Sequence, residues 1–338
     1  MTRVAIVTPV LNDWESVELL ISNLNKTSEL SDLEIQVLCV DDGSTSVEFS
    51  KDFAFEAPIS SVQVIRLQAN QGHQRAVALG LAHAADTLDF DLVVVMDSDG
   101  EDRPEDVPKL IRAHDENPGS IIVAQRQRRS EGLSFRIFYQ FYKMVFSLLT
   151  GRPISFGNFS LIPKYRLPNV LFNDGIWNNF AASILKSRIP ISYIGTHRGT
   201  RYFGSSKMNF TSLMIHGLSA ISVFTDVVVG RIISLLTASS VAVFVVVLSV
   251  VYMKFATTAF VPGYATNVIL FAVLLLAVAL FTGVMTILSL LANRQRAATY
   301  PSHLVETLIR EIIEIPNASD NAKTNFPDLE IGVSRLRR

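Results

Sequence analysis

The sequence predicts an α/β protein: a mainly parallel sheet with helices on both faces, followed by juxtamembrane amphipathic helices and a two-helix transmembrane hairpin. Three observations carry this. Short β-branched runs alternate with helix-spaced segments through residues 1–125. Residues 232–253 and 255–293 contain no charged side chain. Acidic clusters stand directly after several of the strand-like runs, as expected where a parallel sheet presents a ligand site.

The sheet elements follow in order. Val4–Val7 is a short β-branched run that ends in polar Asn12 and Asp13. Ser16–Asn25 has helical spacing at Val17, Leu20, Ile21 and Leu24. Ile35–Val40 and Val62–Leu67 read as the second and third strands. Gln74–Ala85 reads as a helix whose small residues Ala76, Gly80 and Ala84 recur four apart, which suits close packing on a sheet. Leu92–Met96 is a fourth strand, Pro104 opens a helix running to His114, and Ile121–Ala124 is a fifth strand.

A bilayer core of about 30 Å needs about 20 apolar helical residues. Residues 232–253 and 267–292 each satisfy that, with Pro262 and Gly263 as the turn between them. Met1–Val10 is short and runs into a polar stretch, unlike a signal peptide, so the N-terminal region reads as a soluble domain ahead of the first span. Arg231, Arg294 and Arg296 flank the hairpin and Lys254 alone lies between the spans, which puts both ends in the cytoplasm. Ser134–Leu149 and Leu213–Val229 are apolar and amphipathic, suited to the membrane interface or to ordinary core packing. The expected organisation is a catalytic domain over 1–210, an interfacial helix over 211–230, the two spans within 231–293, and a C-terminal helix with a polar tail over 294–338.

Composition excludes several classes. The 338 residues carry 30 Lys and Arg against 31 Asp and Glu, a net charge of −1, too balanced for a dedicated nucleic-acid binder. One cysteine, Cys39, excludes a disulfide framework and a cysteine zinc site. A mean hydropathy of +0.32 is high for a soluble chain, and the excess is concentrated in the hairpin. The six histidines form no metal-spaced cluster and read as surface or structural residues, as Trp14 and Trp177 read as packing residues. Neither a G-x-G-x-x-G after the first strand nor a G-x-x-x-x-G-K-[ST] occurs.

The chemistry lies at the strand ends. Strand two ends in Asp41-Asp42-Gly43-Ser44, and strand four in Asp97-Ser98-Asp99-Gly100-Glu101-Asp102. Asp97 and Asp99, one residue apart where the chain leaves the sheet, suit Mg²⁺ or Mn²⁺ shared with phosphate, and Glu101 offers a further oxygen. The alternative is a solvated acidic loop. Arg126, at the end of strand five, and the group Arg198, Arg201 and Lys207 are candidate phosphate partners. Arg128 and Arg129 read as a solvated face or a contact to anionic lipid.

These stretches resemble the family-2 glycosyltransferases of GT-A (Rossmann-like) fold that act on polyprenyl phosphates. The stretches are IVTPVLND (6–13), VDDGS (40–44), NQGHQRAVALGLAHA (70–84), VVVMDSDGEDRPED (93–106) and RYFGSSK (201–207). The hairpin resembles that of bacterial polyprenyl-phosphate glucosyltransferases and of some dolichyl-phosphate mannose synthases. The resemblance implies that Pro9, Asn12 and Asp13 shape a nucleotide pocket, with Asp41 and Asp42 at its base and ribose and Asp97 and Ser98 completing it. It implies that Asp97, Asp99 and Glu101 hold Mg²⁺ or Mn²⁺. It places Arg126 and Arg136 near the phosphates, and Arg136, Arg201, Ser206 and Lys207 near the acceptor phosphate. Asp99, Arg126, Arg136, Arg201 and Lys207 are then the catalytic set.

The resemblance further implies an inverting transfer of a hexose, UDP-glucose being the first choice of donor, to a polyprenyl phosphate at a bilayer. The setting it implies is the bacterial inner membrane with a cytoplasmic catalytic domain. Where relatives read G-D-F-R-L, this chain has Gly157-Asn158-Phe159-Ser160-Leu161. A phosphate acceptor is mostly dianionic at pH 7 and needs no general base, so Asn158 is compatible with transfer. Open alternatives are a GDP-mannose-dependent mannosyltransferase, a processive polysaccharide synthase and an inactive nucleotide-sugar-binding protein. The Q-x-x-R-W motif of such synthases is absent. Gly230, Gly263 and Gly283 leave room for homo-oligomeric helix contact.

Overall fold

A computed structural model describes residues 1–45, 49, 53–126, 133–204, 210–256, 263–294, 298–316 and 333–334. The N-terminal elements are β1 (Thr2–Val10), α1 (Trp14–Lys26), β2 (Leu33–Asp41), β3 (Ile59–Leu67), α2 (His73–Thr87) and β4 (Leu92–Val95). Next come α3 (Val107–Glu116), β5 (Ile121–Arg126), α4 (Leu133–Thr150), β6 (Ser160–Pro163), α5 (Leu167–Leu171), α6 (Phe180–Lys186) and β7 (Ile191–Thr196). The rest comprises α7 (Phe210–Ser222), α8 (Thr225–Ala256), α9 (Tyr264–Arg294), α10 (Pro301–Leu308), β8 (Ile309–Ile315) and β9 (Val333–Ser334).

The strands form one sheet in the order β7-β5-β6-β4-β1-β2-β3-β8-β9. β1 runs parallel to β2 and β4, β2 parallel to β3, and β5 parallel to β7, while β6, β8 and β9 pair antiparallel to their neighbours. The central strands are continuous apolar runs because both their faces are covered. Leu92, Val93, Val94 and Val95 of β4 are all buried. On one face Leu20, Ile21 and Leu24 of α1 and Val107 and Leu110 of α3 join Ile6, Val37 and Val94 in one core cluster. On the other face α2 lies close to the sheet at Gly80, where an added Cβ would stand 2.5 Å from Val40 Cγ2 and 2.7 Å from Val7 Cγ1.

The chain divides into two compact units: Met1–Met144 with Arg152–Val223 and Thr299–Arg338, and Val145–Gly151 with Phe224–Ala298. The second unit holds α8, of 32 residues, and α9, of 31, both long and apolar enough to cross a membrane. Their large apolar side chains, including Phe244, Leu270, Phe271 and Leu280, are exposed. Within this unit Arg231 donates to the carbonyl of Leu148, one of the last carbonyls of α4.

Three boundaries differ from the sequence expectation. The helix expected over 211–230 is two: α7 stops at Ser222, and α8 starts at Thr225 with Asp226 in its first turn, where an acidic side chain meets the positive end of the helix dipole. Both spans run longer than 232–253 and 267–292. The chain after the hairpin returns to the sheet, because β8 pairs with β3 from Val62↔Ile315 to Leu67↔Ile309. Trp177 helps hold this return by donating from Nε1 to the Thr299 carbonyl at 2.6 Å. On α7 Met214, Ile215 and Leu218 are exposed, as are Phe141 and Met144 of α4.

Candidate active site

The parallel strands all end on one edge of the sheet, and the polar loops gather there. The β1 end turns through Asn12, whose φ of +49° lies in the left-handed region that Asn tolerates. Asn12 donates its backbone N–H to Ser44 Oγ at 2.8 Å and accepts from Thr45 N at 2.9 Å. Asp13 accepts from Ser16 Oγ at 2.7 Å at the start of α1. Pro9 lies on β1 beside Val40.

The β2 end carries two carboxylates with different tasks. Asp41 is fully buried; its Oδ1 accepts from Ser44 N at 2.8 Å and its Oδ2 from Arg66 Nε at 2.9 Å. Asp42 accepts from the backbone N–H groups of Gln71 (2.6 Å) and Gly72 (3.0 Å), so it ties the β2 end to the start of α2. Burial raises the Asp42 pKa against those two hydrogen bonds. Both carboxylates are therefore committed to bracing loops. Arg66 keeps its charge: burial opposes it, but Asp41 and Glu311 outweigh burial and raise its pKa.

Beyond β4 the acidic loop is laced to the segment after β7. Asp97 N–H donates to Asp102 Oδ2 at 3.0 Å, and Glu101 N–H to Asp99 Oδ1 at 2.9 Å. Gly199 N donates to the Glu101 carbonyl and Tyr202 N to the Asp99 carbonyl, both at 2.9 Å. Gly100 sits at φ +87°, and a Cβ there would stand 2.8 Å from the Thr200 carbonyl oxygen, so only glycine lets the two segments meet.

Arginines then converge on Glu101. Arg198 Nη2 lies 2.5 Å and Arg201 Nε 3.0 Å from its Oε1, with Arg126 Nη1 3.3 Å from Oε2. Arg201 Nη2 also pairs with Asp99 Oδ2 at 2.7 Å, and Arg126 Nη2 with Asp102 Oδ1 at 3.0 Å. Burial works against the Glu101 charge, yet the Arg198 and Arg201 hydrogen bonds hold its pKa below the usual value. The sequence made Glu101 a metal ligand; in the structure its carboxylate binds arginines.

Asp97 is different. Its Oδ1 is buried with no hydrogen-bond partner among the described residues. Burial, then the Asp99 charge, pushes its pKa up to about 7, and burial with the Asp97 charge does the same to Asp102. Burial also raises Asp99. An orphaned carboxylate oxygen among mutually repelling acids fits a divalent cation, and hard oxygen donors of this kind suit Mg²⁺ or Mn²⁺. Asp97 and Asp99 are the residues that would hold it. No group of three His, Cys, Asp or Glu side chains is preassembled for a metal among the described residues.

The sequence reading passed over His73. Its Nε2 lies 3.3 Å from Asp97 Oδ1 and 2.8 Å from Asn158 Nδ2. Asn158 Oδ1 accepts from Gln74 Nε2 at 3.4 Å, which orients the amide so that Nδ2 donates to the imidazole. His73 Nε2 is then an acceptor in a neutral ring, in keeping with burial lowering its pKa. A lone histidine in NQGHQ carries no spacing signal, so only the fold reveals this neighbour. Asp97, Asp102, Arg126, Asn158 and His197 line one cleft, and Ser98 is buried beside it. Arg136 lies in α4 with its side chain outside the described set. Ser206, Lys207, Arg128 and Arg129 lie outside the described residues.

The fold is an α/β sheet that gathers acidic and basic side chains at the ends of its parallel strands. The family described as Glycosyl transferase family 2 matches residues 5–186, and the chain belongs to that family. Two curated relatives are both undecaprenyl-phosphate 4-deoxy-4-formamido-L-arabinose transferases. That of Enterobacter sp. (strain 638) is 27% identical over 224 residues, covering 63% of this chain and 64% of the relative. That of Salmonella choleraesuis (strain SC-B67) is 27% identical over 220 residues, with the same coverage. The match thus spans less than two thirds of each relative's length.

Among solved structures, glucosyl-3-phosphoglycerate synthase from Mycobacterium tuberculosis, with Mn²⁺ and UDP-glucose, aligns at a TM-score of 0.47. It is 15% identical, over 67% of this chain and 79% of that one. Mannosyl-3-phosphoglycerate synthase from Rubrobacter xylanophilus aligns at 0.46 with 18% identity, over 66% and 72%.

Proposed function

We propose that the protein is a membrane-held inverting glycosyltransferase that moves a sugar from a nucleotide sugar to a polyprenyl phosphate. The observation that carries this is the meeting of the Asp97–Asp102 acidic loop with three arginines at the strand ends: Arg126, Arg198 and Arg201 all reach Glu101, and Arg201 also pairs with Asp99. Such a site neutralises two anions at once, a leaving nucleoside diphosphate and an incoming phosphate. The family supports transfer of a sugar, and the undecaprenyl phosphate in the relatives' names supports the acceptor. Two long apolar helices suit an acceptor that stays in the bilayer, and the exposed apolar residues of α4 and α7 suit the interface beside it.

The lipid phosphate oxygen attacks the anomeric carbon. The bond from that carbon to the nucleoside diphosphate breaks, its electron pair leaves with the diphosphate, and the configuration inverts to a β-linked lipid phosphate sugar. The dianion needs no proton removed. Asp97 and Asp99 would hold Mg²⁺ or Mn²⁺, which supplies charge neutralisation for the leaving group. Arg126 and Arg201 orient the phosphates, with Arg136, Ser206 and Lys207 as further acceptor-phosphate contacts. Asn12, Asp13 and the β2-end loop that Asp41 and Asp42 brace border the nucleotide.

UDP-glucose remains our first choice of donor. The relatives' names favour a formamido pentose as the second. Nucleotide sugars are made in the cytoplasm, which supports the cytoplasmic side of a bacterial inner membrane as the setting of the site.

The test uses purified protein in detergent with undecaprenyl or dolichyl phosphate, Mg²⁺ or Mn²⁺, and labelled UDP-glucose, GDP-mannose and amino-pentose donors. Asp99→Asn runs alongside. Label that enters the organic phase with one donor and is lost in the variant establishes the reaction. No lipid-linked label with any donor and either lipid overturns the acceptor.

A further inference from the structure

We propose that Glu311, on the strand that returns after the hairpin, is a positioning residue for the nucleotide pocket. It acts through Arg66 and Asp41. The inference rests on the reading of the β1 and β2 ends as that pocket.

The argument starts from register. Asp41 stands opposite Arg66 across β2 and β3, and Arg66 stands opposite Glu311 across β3 and β8. The three side chains form a row of alternating charge across the sheet. Directly opposed unlike charges are favourable cross-strand neighbours. All three nitrogens of one guanidinium are used: Nε donates to Asp41 Oδ2 (2.9 Å), Nη1 to Glu311 Oε1 (2.8 Å) and Nη2 to the Ser44 carbonyl (3.3 Å). The Arg66 and Glu311 side chains are 18% and 19% exposed, and Asp41 is fully buried.

From Asp41 the chain of bonds continues outward. Asp41 fixes Ser44 through its backbone N–H, Ser44 Oγ accepts from Asn12 N, and Asn12 Oδ1 accepts from Thr45 N. The two loops that border the nucleotide are thereby fastened to each other and, through Arg66, to β8. A planar guanidinium pinned at all three points has one orientation. Without Glu311 the fork keeps Asp41 and the Ser44 carbonyl but loses its anchor on the far side, and the loops gain freedom that nucleotide binding must remove.

An adjacent contact separates this effect from simple strand pairing. Glu314 on the same strand accepts from Gln63 Nε2 at 3.3 Å, another cross-strand pair that touches neither loop. The experiment compares Glu311→Gln and Glu314→Gln in the full-length protein in detergent. It titrates UDP and GDP, records donor KM and kcat, and follows thermal unfolding.

We expect Glu311→Gln to weaken binding of the preferred nucleoside diphosphate and raise donor KM about three- to tenfold, within the range of measured couplings between connected residues. The same variant should leave kcat within about twofold. Glu314→Gln should leave both near wild type, and Glu311→Asp should recover part of the loss. Equal affinities in wild type, Glu311→Gln and Glu314→Gln overturn the relay alone. Equal losses in the two glutamine variants reduce β8 to a structural strand and overturn it too. A wild-type chain that binds neither nucleotide overturns the reading of the pocket, and the relay with it. Should Glu311→Gln not fold, Arg66→Lys tests the same link, because a single ammonium cannot hold all three partners.

Discussion

Asn158 donates to His73 at 2.8 Å, and His73 in turn faces Asp97 at 3.3 Å, so a neutral amide and a neutral ring border the acidic centre of the site. A carboxylate at position 158 would add a charge in the cleft that Asp97 and Asp102 already line, against the phosphate of the proposed acceptor. We therefore expect Asn158→Asp to lower kcat about tenfold, equivalent to about 1.4 kcal/mol of transition-state energy. A several-fold gain in the lipid-transfer assay would show that the neutral pair is not tuned to a phosphate acceptor.

Asp97 and Asp99 should carry the metal response, and Glu101 should not. Asp99→Asn is expected to cost about a hundredfold in kcat, the scale for one preorganised electrostatic contact. Asp97→Asn and Asp99→Asn should also raise the Mn²⁺ concentration needed for half activation. Glu101→Gln should lower kcat by releasing Arg126, Arg198 and Arg201 while leaving that concentration near wild type. A large shift in Mn²⁺ demand for Glu101→Gln would return Glu101 to the metal.

Gly80→Ala should destabilise the catalytic unit. The new methyl group would press on Val40 and Val7 at 2.5 and 2.7 Å, in a packed sheet–helix layer. Overpacking of this kind costs about 1–3 kcal/mol, readable as a lower Tm. An unchanged Tm would mean that α2 can move off the sheet.

Cys39 offers a direct probe of unfolding. It is buried, and burial pushes its thiol up to about 12. A thiol reagent at pH 8 should label it only as the chain unfolds. The sign with pH follows from linkage: the unfolded thiol ionises at about 8.5 and the folded one near 12, so stability is lost as pH rises between them. The expected slope from this group is about 1.4 kcal/mol per pH unit. Rapid labelling of folded protein at pH 8 would contradict the burial.

Much of this architecture was legible because the signals are local. Leu92–Val95 is a β-branched run of the length of a buried strand, and Asp97 and Asp99 follow it directly. The hairpin declares itself by two long stretches without charge. What stayed hidden depends on partners far away in the chain. Glu311 and Arg66 are 245 residues apart, and neither looks unusual alone. β6 is only four residues long and β7 is mostly half-buried, so neither carries a strong pattern of its own, although both pair with strands that do. The acidic loop suggested three metal ligands because spacing reports which oxygens are near one another. It does not report that Arg198 and Arg201 arrive from another segment to take Glu101.

The return of β8 to the sheet also has a consequence in time. β3 is finished early, but its antiparallel partner across Arg66 and Glu311 is translated 245 residues later, after both apolar helices. At about 5–20 residues per second, that interval is about 12–50 s. During it the outer hydrogen-bonding edge of β3 is open to any extended segment. On the ribosome, then, this protein can complete its sheet only after the hairpin has been made.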